Sequence, residues 1–567
     1  MNYEPARTRI ASKSISSLAI GLLLALNILA STGLAARAHA DDPPTFYVAP
    51  SPPGTGLSGG SCTMPSFNSI QAAVTAAPSN SVVIVCPGTY TEQVSINKPL
   101  TLIGSGPSNT KVKAPAVLVP DAFTERAIVE ITGSVTASIK GFTISGPGPG
   151  PCGSIDDGIF VSGGASAKIT GNSIVSIRDN PISGCQNGIG IQVGRQIEGT
   201  SGTATIKANS ISDYQKGGIV VDNTGSSATI DGNTVTGVGP TPLIAQNGIQ
   251  VGRGAAATIT QNSVSGNECD HIDVLPLNTC GPDLDNQIQD GGILLFNDAI
   301  APLSVTLSEN NIFGNDVGVA PFNVNGGIAV TGNNIYDNRY GNVVLYLASN
   351  MQIEFNKIWV SDPNAAGAPC SAASFCFGHS YTLGIDVLDH SNGNKISRNT
   401  VTVTADKYAI LLDSSTGGNS VTCNNLSANQ GQTEGTAAVL DLGTGNTVSN
   451  DGCCGESDGE GDFNGDHGHG HVAVDNDGCK DGDNDQVQMS DRGDGHDFQS
   501  TSFNSVSFDP LTNALTITGL GTTNGVPVAF TLVAIESGPT TPGWVSFVSS
   551  DGYSNAGPLT AGSIVLH

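Results

Sequence analysis

Aromatic side chains are scarce, at 5% of 567 residues, and only 13% of the chain is charged. So thin an aromatic supply argues against one compact, aromatic-rich core, and the 73 glycines point to a repetitive, turn-dense architecture instead. Basic residues are few as well, with Lys+Arg 22 against Asp+Glu 49 and a formal net charge of -27. Such a surface repels phosphate backbones, so nucleic acid is excluded as a natural partner. After the first forty residues no apolar stretch is long enough to span a bilayer.

Those forty residues read as a secretory signal. Arg7, Arg9 and Lys13 precede the apolar run from Leu18 to Ala30, and Ala38-His39-Ala40 supplies a small-residue cleavage site. Cleavage before Asp41 removes four basic residues and one acidic one, taking the net charge from -27 to about -30. The expected product is a monomer, secreted or held at the cell surface, with no membrane segment left. Twelve cysteines in an exported chain suit disulfides. Cys269 with Cys280, and Cys370 with Cys376, sit within single loops. Cys62 with Cys86, and Cys152 with Cys185, could tie neighbouring segments, and the connectivity stays open.

What is abundant is a repeat. A unit apolar-x-x-Asn-x-apolar recurs around Asn172, Asn209, Asn233, Asn262, Asn310, Asn333, Asn356, Asn399 and Asn424. The preceding apolar residue runs from Ile169 to Val421 and the following one from Ile174 to Leu426. Many units are followed by Gly-Ile, as at Gly158-Ile159, Gly218-Ile219, Gly248-Ile249, Gly292-Ile293 and Gly384-Ile385. Alternation turns one face of each short strand inward, while Asn marks a bend, where it tolerates left-handed backbone and bonds to neighbouring backbone. Stacked units predict a solenoid with about three strands per coil and an asparagine ladder. The rival, a β-propeller, needs longer repeats for its four-stranded blades. An open end would expose strand edges, and Asn68 to Ala77 supplies a covering helix: Asn68 and Gln71 have capping-box spacing, and Pro78 stops it.

The stretch Ser69-Ile70-Gln71-Ala72-Ala73-Val74, then Cys86-Pro87-Gly88-Thr89-Tyr90-Thr91-Glu92 and Leu100-Thr101-Leu102-Ile103-Gly104, resembles right-handed β-helix proteins of the pectin-lyase-like superfamily. The resemblance extends through the Asn units from about Phe46 to about Asn450 and implies an all-β, right-handed parallel β-helix over 41–450. It also implies an extracellular polysaccharide as partner, handled by lyase, hydrolase or esterase chemistry. Gly88-x-Tyr90-x-Glu92 is similar to the first pectinesterase motif. The motifs that carry that family's acid, nucleophile and substrate arginine have no counterpart, Gln289-Asp290-Gly291 being a two-residue match. The epimerase signature Tyr-Gly-x-Asp-Pro-His-Asp is likewise missing.

Insertions leave the repeat at Arg178 to Gln186, Gly239 to Gln246, Gly266 to Asp290 and Ser361 to Thr382. Their shared phase puts them on one wall, a groove for an extended polymer. In the third, Asp270, His271 and Asp273 are the candidate catalytic groups, as acid and base or as calcium ligands. Arg195 and Arg253, each ending an Ile-Gln-Val-Gly-Arg unit, fall on one ladder with Asn223 between them, about 10 Å apart, and are the candidate substrate contacts. The bland alternatives are solvated turn-forming acids and arginines paired with acids such as Asp222.

After Asn450 the composition changes. Residues 451–497 are dense in Asp, Gly and His, and read as an acidic linker with no core of its own. Asp475, Asp477, Asp481, Asp483 and Asp485 alternate with small residues, the pattern hard cations such as Ca²⁺ prefer, and His467, His469 and His471 suit a transition metal. From 498 to 567 strand patterning returns, for a small β-sandwich-like domain. Two functions follow: a secreted protein that binds and modifies an extracellular polysaccharide, or a non-catalytic surface or matrix protein with a calcium-binding linker.

Overall fold

The computed structural model describes residues 42–566 apart from 51–57, 122–123, 242, 269–289, 299–300, 361–383, 404–407, 429–437, 450–456, 466–467, 477–485, 492, 494, 510–513 and 537–541. The expected signal segment, Asp270, His271, Asp273, His467, Asp477, Asp481, Asp483 and Asp485 lie outside the described residues, as do Cys269, Cys280, Cys370 and Cys376. Asp475 falls in the strand Gly468–Asn476, but its side chain is outside them too. Among the described residues no helix is long and apolar enough to cross a membrane.

Residues 44–449 wind into a solenoid of three parallel sheets. The first has fourteen strands, from Thr45–Val48 to Thr447–Ser449. The second and third have twelve each, from Gly88–Thr91 to Asn425–Ala428 and from Val94–Ile96 to Val439–Asp441. One unit shows why the chain folds so. Ile230 lies near the end of the first-sheet strand Ser227–Asp231, Gly232 turns with φ 62°, Asn233 makes the corner, and Val235 centres the second-sheet strand Thr234–Thr236. Superposition of such units puts the apolar residues in register: Ile169, Ile206, Ile230, Ile259, Leu307, Val330, Ile353, Ile396 and Val421 stack as rungs. So do Ile174, Ile211, Val235, Val264, Ile312, Ile335, Ile358, Val401 and Leu426. Both rows lie in one continuous buried core.

The asparagine ladder forms as expected. Each Asn Oδ1, from Asn209 to Asn424, accepts from the backbone N–H and the Nδ2 of the Asn one coil earlier, for example Asn209 N to Asn233 Oδ1 at 2.9 Å and Asn233 N to Asn262 Oδ1 at 2.9 Å. Each corner's buried polar groups are thus satisfied along the axis. One detail differs. The left-handed residue is the one before each Asn, such as Ala208 (φ 54°), Gln261 (φ 56°) and Phe355 (φ 58°), which frees the amide for the ladder. Two further ladders escape the repeat search: Asn267 to Asn315 to Asn338, and Asn394 to Asn419 to Asn446.

The N-terminal helix runs Ile70–Ala76 and buries Ile70, Ala73 and Val74. Its N-cap is Ser69, not Asn68, and Glu92 completes the cap by accepting from Ser69 Oγ, Ile70 N and Gln71 N at 2.8–2.9 Å. Tyr90 OH donates toward the Cys86 and Val48 carbonyls. The Gly-x-Tyr-x-Glu stretch therefore holds the end of the solenoid together. Cys62–Cys86 and Cys152–Cys185 are disulfides.

The expected linker and sandwich are instead one domain. Strands Ser457–Gly465, Gly468–Asn476 and Gln486–Asp491 join five later ones in an eight-stranded antiparallel closed barrel, with Ser457–Gly465 pairing to Ser554–Leu566. The reason is period rather than content: Phe463, Val472, Val474, Val487 and Met489 are the few large apolar residues of 451–497, and every one points into the barrel core. Glycine is needed beside them, since a Cβ at Gly470 would lie 2.5 Å from the Phe463 ring.

Candidate functional site

Each third-sheet strand starts just after a corner loop, so the residues opening it are held at one edge of the outer face. In Asp157–Val161, Ile159 and Val161 enter the core and Gly158 faces Ile174 and Ile177, which turns Asp157 outward beside Ala127 and Ile189 of the flanking strands. Two of the expected wall loops can be followed, and both join a second-sheet strand to a third-sheet strand, on this side of the solenoid. The first is pinned by Gln215, whose Nε2 donates to Asp179 Oδ2 at 3.0 Å and Cys185 O at 2.9 Å. Hydrogen bonds from Ser183, Gln215 and Asn187 outweigh burial and hold the Asp179 carboxyl below its ordinary range.

Four carboxylates and two arginines meet at this edge. Arg195 pairs with Glu125 and lies 3.6 Å from Glu198 through Nε. Arg126 donates its backbone N–H to Asp156 Oδ2 at 2.9 Å and places its guanidinium 3.5 Å away. Asp157 is 0% exposed, and neither of its oxygens has a hydrogen-bond partner. The crowd of like charges is uneven in acidity. Burial, then Glu125, pushes Glu198 up to about 8 and Asp156 up to about 6, and drives Asp157 well above the usual carboxylate range. Against the opposing effect of burial, Asp157, Glu125 and Glu198 hold the Arg195 guanidinium firmly charged. An acid that keeps its proton near neutrality beside ionised neighbours is the arrangement general acid–base catalysis uses.

Arg195, Asn223 and Arg253 each stand two residues beyond the paired Val193, Val221 and Val251, but the register ends at Val193, where Arg195 opens a hairpin that leaves the coil. Asn223 Nδ2 donates to Thr200 O at 2.9 Å. Arg253 pairs with Asp222 at 3.1 Å and Asp298 at 3.4 Å, its guanidinium 5.4 Å over the Phe296 ring. So Arg195 belongs to the carboxylate cluster, while Arg253 is engaged elsewhere along the same face. A second polar centre lies at Glu268 and Asp290, which flank the stretch holding Asp270, His271 and Asp273. Buried Asp290 accepts from Gln246 N and faces Asp316; burial, then Asp316, raises it well above the carboxylate range. Arg339 sits 3.6 Å from both Asp316 and Glu268. The register from Asp157 through Ile189, Gly217 and Asn247 to Gly291 separates the two centres by four strand spacings, about 19 Å. Among the described residues no three His, Cys, Asp or Glu side chains are placed to hold a metal ion.

Aligning the Gly-Ile units would have exposed part of this. Asp156-Asp157 and Asp290 stand where the others carry Lys216-Gly217 or Gln246-Asn247. Glu125 and Glu198 come from outside the unit, and nothing in the repeat marks them.

Residues 190–298 match the family profile for the right handed beta helix region. The solenoid is a right-handed parallel β-helix. The fold implied by the pectin-lyase-like resemblance is thereby borne out. No curated protein matches the chain. Among solved structures, the Dettilon tailspike protein is 14% identical over 92% of this chain and 94% of its own, with a TM-score of 0.47. The A-module of the Azotobacter vinelandii mannuronan C-5 epimerase AlgE4 is 18% identical over 67% and 94%, at 0.41. An alginate lyase from a Paenibacillus species is 12% identical over 65% and 96%, at 0.32. Such distant likenesses assign no activity to this β-helix.

Proposed function

We propose that this β-helix is a secreted or cell-surface protein that binds an extracellular polysaccharide along the outer face of its third sheet and modifies it by acid–base chemistry at the Arg195 cluster. The observation that carries the reading is the packing of Glu125, Glu198, Asp156 and the enclosed Asp157 around one arginine. Glu198 is the proton donor, Glu125 lies beside it on the same arginine, and Arg195 positions both. Arg253 and the polar centre at Asp290 extend the face along the axis, as a polymer requires. Asp270, His271 and Asp273 remain candidates on the loop that springs from that second centre.

One observation favours a non-catalytic surface protein, whose acidic segment from Asp475 to Asp485 takes up Ca²⁺: Asp157 is wholly enclosed. The two readings part in a glycan-binding array covering polyuronates and neutral glucans. Polysaccharide handling predicts retention of at least one class and at least tenfold weaker binding by Arg195→Ala. Absence of binding to every glycan, or binding that Arg195→Ala leaves unchanged, would sink it.

A further inference from the structure

After Val193 the chain leaves the coil and doubles back on itself. Arg195 and Thr200 exchange backbone hydrogen bonds at 2.9 and 3.1 Å, and a single 3-10 turn, Gln196–Glu198, is closed by Gly199 at φ 64°. The base of this hairpin is fixed: Thr200 Oγ1 accepts from Gly163 N at 2.6 Å and Thr200 O from Asn223 Nδ2 at 2.9 Å. Its tip is not held by apolar packing, because Ile197 is 84% exposed. What draws the tip down is polar: Gln196 N donates to Asp222 Oδ2 at 2.8 Å, and Arg195 reaches beneath it to Glu125, with its Nε 3.6 Å from Glu198.

We propose that the hairpin Arg195–Thr200 is a lid over the Arg195 carboxylate site, held down while the Glu198 side chain buried beneath it carries no charge. The proposal rests on that cluster being the working site, and it accounts for an enclosed Asp157 there. Facing Glu198 are Glu125 and Asp121 from the segment before strand Ala127–Ile131, Asp157 from the next coil, and Arg195 on the hairpin itself. With its proton, Glu198 is neutral among them. Without it, a negative charge is left buried with Arg195 as nearest counter-charge, and no apolar burial resists lifting.

The sign follows from where the proton sits. In the closed lid Glu198 titrates at about 8, whereas in an open, solvated lid it returns to about 4.5. Opening therefore releases one proton between those values, so the opening equilibrium grows about tenfold per pH unit from about 4.5 to about 8, then levels.

Hydrogen exchange of the full-length protein tests this without any glycan. The amides of Arg195, Gln196, Gly199 and Thr200 are the reporters. After correction for intrinsic exchange, their protection is expected to fall about tenfold per pH unit from about 5 to about 8 and then flatten, while Glu198→Gln stays flat throughout. A wild-type profile that does not change with pH, or one that Glu198→Gln reproduces, overturns the lid. If Glu198→Gln fails to fold, the wild-type slope alone decides. Failure here leaves the glycan-binding result untouched, and failure there leaves this one.

Discussion

Replacing Asn262 by alanine tests what holds the coils in register. Asn262 is fully buried, and its side chain has partners in three coils. Nδ2 donates to Ile230 O, Thr260 O and Asn310 Oδ1 at 2.9–3.0 Å, and Oδ1 accepts from Asn233 N and Nδ2, both at 2.9 Å. Alanine leaves the Asn233 amide and the Ile230 and Thr260 carbonyls with a lost partner away from water. Each such group costs about 1–3 kcal/mol, and partial relaxation puts the total near 3–6 kcal/mol. Asn311, which follows the ladder residue Asn310, is exposed on the second sheet, so Asn311→Ala should stay within about 0.5 kcal/mol. Urea denaturation should show Asn262→Ala unfolding at a markedly lower midpoint, and hydrogen exchange should localise the loss to the coils around 230–262. Asn262→Ala within about 1 kcal/mol of wild type, or indistinguishable from Asn311→Ala, would refute the ladder as a stabilising element.

Because Glu198, Asp156 and Asp157 all titrate higher when folded, each is neutralised more readily in the native state than in the unfolded chain. Stability is full below about pH 4 and declines as pH rises toward about 8; Glu198→Gln should flatten the upper part of that decline in urea melts at several pH values. Glu92→Ala strips three hydrogen bonds from the start of helix Ile70–Ala76 and should cost about 1–2 kcal/mol, read as faster exchange of the Ile70 and Gln71 amides. Gly470→Ala drives a methyl group into the Phe463 ring and should destabilise the barrel by about 1–3 kcal/mol, seen as a lowered melting temperature. An unchanged melt would show that Phe463 can turn aside.

The solenoid was legible because its repeat is written in two physical requirements at once, an apolar residue every turn and an amide at every corner. All nine asparagines and their eighteen apolar neighbours fall on the rungs their spacing implies. The left-handed position was misplaced by one residue because Ala208, Gln261 and Phe355 have no propensity for it; the ladder imposes it. The barrel's first three strands were hidden for a similar reason. With glycine, aspartate and histidine filling the outer positions, an inward series of only five residues looks like a linker, although period 2 is preserved from Phe463 to Met489. The candidate site was half legible. Arg195 stood out through the Ile-Gln-Val-Gly-Arg duplication, but Glu125 reaches it from 70 residues away and Glu198 from an off-repeat hairpin, contacts no local pattern encodes.

The central claim, that the Arg195 cluster does chemistry on a polymer, is tested most directly by reducing-end release and ultraviolet absorbance of unsaturated ends. Wild type and Glu198→Gln would be compared on polyuronates and neutral glucans across pH. The account predicts turnover of one polymer class that Glu198→Gln lowers at least a hundredfold. Wild type cleaving nothing, or Glu198→Gln cleaving as fast as wild type, would contradict it.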